Sequence, residues 1–182
     1  LFFPYMINTV AVAVIFRRFF QGEGLSGAGT LNTIIKLFGG ESINFLSTPG
    51  LASVCLVFVS IWRYMGMDLV MFIGAIQSVS PDIYEAADLD GANRWQVFRY
   101  IIAPGIRPII LLQMILAVKG AISVYEIPYI ITGGKSGGTS TFVIKTTETA
   151  FKLQKVGLAS AMAIVLLIII LVVTLIQKLV IK

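Results

Sequence analysis

The side chains that could act chemically fall into two sets. One is an acidic cluster, Glu85, Asp88 and Asp90, with Asp82 just before it, inside a polar insert between two apolar runs. The other is a group of ionisable residues within the apolar runs themselves: Arg63 and Asp68 in one, Lys119 and Glu126 in the next, with Ser123 and Tyr125 alongside. A charge well inside an apolar span costs roughly 2.5 to 3.5 kcal/mol on insertion scales, so such groups usually face a cavity or a partner. The chain has no histidine and one cysteine, Cys55. An internal disulfide, a zinc site and a histidine-based dyad therefore lack their ligands, and Cys55, in an apolar run, reads as a small hydrophobe. No nucleophile with a neighbouring base is evident, so neither catalysis nor a cofactor is expected. Gly134-Lys135-Ser136 copies the end of a phosphate-binding loop, but the glycine required five positions earlier is Tyr129 and an apolar run precedes it instead of a strand.

The elements that must position these groups follow from hydropathy. The chain is 57% hydrophobic with a mean hydropathy of +0.92, and apolar segments lie at about residues 1–16, 51–77, 105–131 and 156–176. At about 1.5 Å per residue the last three exceed the roughly 30 Å of a bilayer core. The expected fold is an all-α integral membrane protein, a transmembrane helix bundle forming one domain over residues 1–182. The chain starts inside an apolar run without a methionine, and the reading is that N-terminal helices are missing. The net charge of +5 comes from scattered basic residues, which does not point to nucleic acid. If residues 105–131 form one helix, Lys119, Ser123 and Glu126 share a face that could line a polar path offering hydrogen bonds to hydroxyl groups. The charges could equally satisfy one another and only orient the helices. Gly66 and Pro128 would permit local breaks.

Local chemistry in the insert predicts two short helices. Ser80 is placed as an N-cap with Pro81 at the first helical position, and Asp82 and Glu85 lie where negative charge suits the helix dipole. Gly91 supplies a stop, Asn93 with Gln96 reads as a reciprocal cap, and Pro104 is expected to break the helix before the next span. Ile83, Ala86, Ala87 and Leu89 give the first helix a mostly small apolar side, with Glu85 and Asp88 on another. Trp95, Phe98, Ile101 and Ile102 do the same for the second, leaving Arg94 and Arg99 to water or headgroups.

The segment resembles the EAA loop of the membrane subunits of bacterial ATP-driven importers, through Glu85-Ala86-Ala87, Gly91, Ile101 and Pro104. Trp62, Gly66, the run into Pro81, Ile131-Thr132-Gly133-Gly134, Thr139 to Thr141, Ala150-Phe151 and Gly157-Leu158-Ala159-Ser160-Ala161 are similar to the carbohydrate-uptake branch, the maltose and multiple-sugar permeases. Nearly the whole chain is covered. Ala103 and Lys135 depart from the usual leucine and proline. The resemblance implies a multi-pass permease subunit of an ABC importer in the bacterial cytoplasmic membrane, forming a path for a sugar-like solute and carrying no catalytic residue. It implies that residues 80–103 are a cytoplasmic coupling loop contacting an ATPase through Glu85, Ala86, Ala87, Asp88, Asp90 and Gly91. The implied partners are two ATP-binding cassette ATPases, a second permease subunit and an extracytoplasmic solute-binding protein. The alternative is an ATPase-independent secondary transporter or a membrane scaffold whose loop docks another protein.

Orientation rests on that loop. With residues 80–103 inside, Arg94, Arg99, Arg107, Lys178 and Lys182 are cytoplasmic, against Arg17, Arg18, Lys36, Lys135, Lys145, Lys152 and Lys155 outside. Five against seven runs counter to the positive-inside tendency.

Overall fold

A computed structural model describes residues 2–24, 27–134 and 138–180. No strand occurs among them. The first helices are α1 (Phe3–Met6), α2 (Thr9–Phe20), α3 (Thr30–Leu37) and the long α4 (Leu51–Gln77). They are followed by α5 (Pro81–Leu89), α6 (Arg94–Val97), α7 (Ala103–Ile122), α8 (Glu126–Thr132), α9 (Phe142–Thr147) and α10 (Val156–Val180). Three stretches are long and apolar enough to cross a membrane: Leu51–Gln77, Arg94–Ile122 and Val156–Leu179.

Three helix boundaries differ from the hydropathy reading, and prolines account for two of them. The run read as one span over residues 105–131 is two helices, because α7 ends at Ile122 and α8 starts at Glu126. Continuing the helix would drive the Pro128 ring into the carbonyl of Val124, four residues back. That carbonyl is taken up instead by Thr141 Oγ1, which donates to it at 2.9 Å. Pro104 has the opposite outcome: the helix it was expected to break runs on from Arg94 to Ile122. The turn before it, Phe98–Ile102, is a π-turn in which the Ala103 amide reaches back to Phe98. Widening the helix there relieves the clash between Pro104 and the carbonyl of Tyr100. The first apolar run, read as a partial span over residues 1–16, is α1 and α2 separated by an extended residue, Ile7 (ψ 140°). Asn8 caps α2 by accepting from the Val10 amide at 2.8 Å.

The core lies where α2, α4 and α8 meet. It contains Val12, Ala13 and Phe20 of α2, Cys55 and Val59 of α4, and Ile127 and Ile131 of α8. Phe16 inserts its ring against Trp62 at 5.1 Å and Phe58 at 6.1 Å. Cys55 is buried as one of these small apolar groups. The other faces of α4, α7 and α10 are apolar and open, as lipid or a partner subunit requires.

Between α2 and α4, Asn32 of α3 is wholly buried. Its amide nitrogen donates to the carbonyls of Gln21 and Ile43 at 2.9 Å each, and its oxygen accepts from the Ile43 amide at 2.8 Å. One side chain thus ties both ends of the loop to α3, while Ile34, Leu37 and Phe38 stay exposed, as a helix lying at an interface needs. Beyond α8, Gly133 and Gly134 both take positive φ. A Cβ on Gly134 would stand 2.8 Å from the Ile144 side chain, so the turn packs against α9 only with glycine there. Lys135 and Ser136 of the phosphate-loop lookalike lie outside the described residues. The π-turn Glu148–Lys152 joins α9 to α10, and there the buried Glu148 accepts from Lys152 Nζ at 3.1 Å.

Asn32→Ala takes this partner from both Ile43 backbone groups, while the Gln21 carbonyl keeps the Gly29 amide, and at 1–3 kcal/mol for each group left unpaired we expect a loss of about 2 kcal/mol. Unfolding in detergent and protease cleavage within residues 21–50 check it. The Glu148 hydrogen bond and charge hold the Lys152 ammonium above its ordinary value. A pKa raised on folding contributes stability below the unfolded value, and that contribution fades as pH rises through the folded one. The α9–α10 junction should therefore keep this contact through neutral pH and lose it only above the usual lysine range of roughly 10.4. Hydrogen exchange of residues 148–155 between neutral pH and pH about 11, compared with Glu148→Gln, measures it.

Candidate functional site: the polar hairpin and the intramembrane charges

The polar insert folds as a hairpin leaving the end of α4. Ser80 occupies the N-cap of α5 with Pro81 behind it, although its hydroxyl makes no capping bond. The helix ends at Asp90, whose amide returns to Ala86 at 3.0 Å, and Gly91 (φ +71°) turns the chain. Asn93 and Gln96 close the reciprocal cap of α6: Gln96 N donates to Asn93 Oδ1 at 2.9 Å, and Asn93 N donates to Gln96 Oε1 at 2.8 Å. α6 is no isolated short helix, because the π-turn joins it to α7. The hairpin is therefore built rigidly onto a membrane span.

Its faces are open. Glu85, Ala86, Asp88, Asp90 and Gly91 are exposed and Ala87 alone is buried. The apolar side anticipated for α5 is left uncovered, with Ile83 exposed and Leu89 90% accessible. Trp95 and Phe98 stack at 5.6 Å on the neighbouring turn and are also exposed. Exposed Leu, Trp and Phe thus lie beside three carboxylates, an apolar and acidic surface left uncovered by the rest of the chain.

The intramembrane charges do not converge on one site. Arg63, at the middle of α4 and 8% accessible, donates Nη1 to the carbonyl of Ile7 at 2.6 Å, and its guanidinium lies 5.7 Å from the Tyr64 ring and 6.0 Å from the Tyr5 ring. It fills the backbone break between α1 and α2 and makes no ion pair among the described residues; its buried Nε has no partner. Asp68 accepts from Gln113 Nε2 of α7 at 3.1 Å. Lys119 and Ser123 belong to the last turn and cap of α7, whereas Glu126 opens α8. The shared helical face expected of these three does not exist, because Pro128 divides the helix. Tyr125, at the break, stacks on Tyr129 at 5.1 Å. These two rings border a small recess of about 80 Å³ with Glu148 and Lys152. Among the described residues no cluster of three metal-binding side chains occurs.

Sequence reasoning passed over Gln113 and Glu148. Gln113 had a signal, a lone amide in the apolar run from Ile109 to Val118. Glu148 had little, since nothing local foretells that its carboxylate turns inward to meet Lys145 and Lys152.

A family model for the inner membrane component of binding-protein-dependent transport systems matches residues 1–182. The chain belongs to that family. Among its relatives in this transport family, the probable ABC transporter permease protein YurN of Bacillus subtilis is 33% identical over 97% of this chain and 60% of its own length. The arabinooligosaccharides transport system permease protein AraP of the same organism is 30% identical over 97% of the chain and 56% of its own length. The trehalose/maltose transport system permease protein MalF of Thermococcus litoralis is 30% identical over 75% of the chain and 46% of its own length. The chain thus spans about half to three fifths of the curated relatives it matches. In fold it resembles the crystal structure of a bacterial ABC transporter that imports the acidic polysaccharide alginate, with a TM-score of 0.85 at 23% identity over 99% of this chain and 62% of that one. A transport-family membrane component with this fold is a helix bundle of the inner membrane, as the apolar spans require.

The hairpin turn gives a graded test. Nothing lies within 4 Å of a Cβ placed on Gly91, so substitution there costs only the left-handed backbone, about 1–2 kcal/mol for an ordinary residue. Gly91→Asn should be nearly silent and Gly91→Val the worst, with Gly91→Ala between, in the helicity and protease resistance of residues 81–97.

Proposed function

We propose that the chain is part of the membrane-spanning subunit of an ATP-driven importer, forming the translocation path for a sugar or sugar-like solute and taking its drive from ATPase subunits through the hairpin around Glu85 to Gly91. The observation that carries this reading is the hairpin: an exposed acidic and apolar helix, uncovered within its own chain, yet joined through the Asn93–Gln96 cap and the π-turn to a 29-residue span. Such a helix is of little use unless another protein seats it. Displacing it moves the span with it.

On this reading the chain does no bond-making chemistry, and ATP is hydrolysed in a separate partner. Two ATPase subunits, a second permease and an extracytoplasmic solute-binding protein complete the importer, with α5 and Gly91 on the cytoplasmic side. Glu85 pairs with a basic residue of the ATPase, Ala86 and Ala87 allow close approach, and Asp88 and Asp90 add to the negative face. The relatives named for trehalose/maltose and arabinooligosaccharide transport support a carbohydrate solute. The exposed faces of α4, α7 and α10 are where a second permease and the path between the two would lie.

Replacing Glu85 with Lys in the complete subunit should abolish copurification of the ATPase and solute uptake, while membrane insertion and the yield of the subunit stay unchanged. Glu85→Gln should retain part of both, since a truncated or reversed charge in a desolvated pair costs more than a neutral isostere. Normal assembly and uptake in Glu85→Lys would sink the coupling role and return the hairpin to the status of an interfacial anchor.

A further inference from the structure

Three cations gather where α9 gives way to α10. Lys145 lies on α9, Lys152 ends the π-turn, and Lys155 immediately precedes the first residue of α10. The Lys155 amide closes this junction by donating to the Thr149 carbonyl at 3.0 Å, with Gln154 in the left-handed region (φ +54°). The reversal lays α9 and the π-turn against the start of α10, so all three positions belong to one edge of the bundle. Glu148 lies beneath two of them: one carboxylate oxygen meets Lys152 Nζ at 3.1 Å, the other Lys145 Nζ at 4.0 Å. The glutamate side chain is 11% exposed, against 57% and 62% for the two lysines. The anion is inside and the ammonium groups are outside, held at a set spacing, so an approaching ligand meets positive charge. One carboxylate cannot neutralise two ammonium groups, and Lys155 adds a third, also exposed.

Apolar surface adjoins these charges. Phe151 is 80% accessible, Leu153 57% and Val156 64%, and at Val156 begins a stretch long and apolar enough to cross a membrane. The lysines therefore stand at the end of a span, where long basic side chains lay their stems on apolar surface and carry their charge to the headgroups. They are also three of the seven basic residues that run counter to the positive-inside tendency. Arg17, Arg18 and Lys36, on the same side, are engaged within the chain by the Ile130 carbonyl, Gln21 and Glu23.

We propose that this edge seats an anionic phospholipid, its phosphate among Lys145, Lys152 and Lys155 and its acyl chains along Phe151, Leu153 and the first turn of α10. Charge complementarity selects an anionic headgroup over a zwitterionic one. The continuity of Phe151, Leu153 and Val156 with the span favours a lipid over a soluble acidic protein, which would have to enter the headgroup layer to cover them. The seat depends on the membrane span alone and stands whatever the hairpin docks.

The test uses the complete subunit, purified in mild detergent with the proteins that accompany it, and titrated with phosphatidylglycerol or phosphatidylcholine. Thermal stabilisation and lipid retention in native mass spectrometry are the readouts. Phosphatidylglycerol should bind in preference to phosphatidylcholine, less so at high salt, and neither inorganic phosphate nor glycerol phosphate should displace it. Each lysine changed to glutamine should weaken phosphatidylglycerol about fivefold, and all three together roughly a hundredfold, with phosphatidylcholine unaffected. Changing all three to arginine keeps the charge and should keep the preference, which separates loss of charge from damage to the fold. Lys36→Gln should leave the preference as it is. Equal binding of the two lipids by the wild type overturns the proposal. An unchanged preference in the triple glutamine variant does so too, as does its loss in the triple arginine variant. Displacement by glycerol phosphate or inorganic phosphate assigns the lysines to a soluble anion instead, and a preference that survives while an accompanying protein is lost makes them a protein contact.

Discussion

A backbone carbonyl released in an apolar interior must find another donor, and the hydrogen bond from Arg63 to Ile7 is where this chain meets that constraint at the greatest cost. Placing a guanidinium at the middle of a span is unfavourable by several kcal/mol unless it is enclosed. Here it is enclosed by Tyr5, Tyr64 and the carbonyl it satisfies. The bond fixes α1 and the start of α2 against α4, and that contact sets the position of Val12, Ala13, Phe16 and Phe20 in the core. The second break, between α7 and α8, is sealed in the same manner by Thr141, a neutral donor at lower cost. Both seals come from other parts of the chain, so each irregular stretch doubles as a tertiary contact.

These seals divide the polar residues of the spans into two kinds. Arg63 and Thr141 serve the backbone and are already committed within the chain. Asp68 is held on one side only, and the exposed surface of α5 is not held at all. Both are exposed, and it is at such outward-facing groups that binding has something to add.

The sequence spoke clearly wherever the physics was local. Gly91 and the Asn93–Gln96 pair announce a turn and a cap because the bonds involved reach three or four residues. The exposed Glu85, Asp88 and Asp90 follow from those same turns. Hydropathy found α4 to both ends and the start of α10, which runs on four residues past the expected 176 to Val180, but failed at Pro104 and Pro128. A proline at a given apolar position can be absorbed by widening the turn, as at Phe98–Ile102, or can end the helix, as at Ile122. The outcome depends on whether a donor such as Thr141 is at hand to take the freed carbonyl. Arg63 was readable as a costly charge, but its partner lies 56 residues away at Ile7, and no pattern in the sequence links the two.

The two seals also differ in when they can form. The Thr141 hydroxyl leaves the ribosome 17 residues after the carbonyl it serves, whereas Arg63 follows Ile7 by 56. During synthesis the break between α1 and α2 must therefore wait for the whole intervening loop and half of α4 before its backbone is satisfied. Until then α1 and α2 are better kept in the insertion machinery or at the wet interface than released into lipid. The chain thus carries an order of assembly: α1 and α2 settle when Arg63 arrives, and the break between α7 and α8 is sealed later, when Thr141 does.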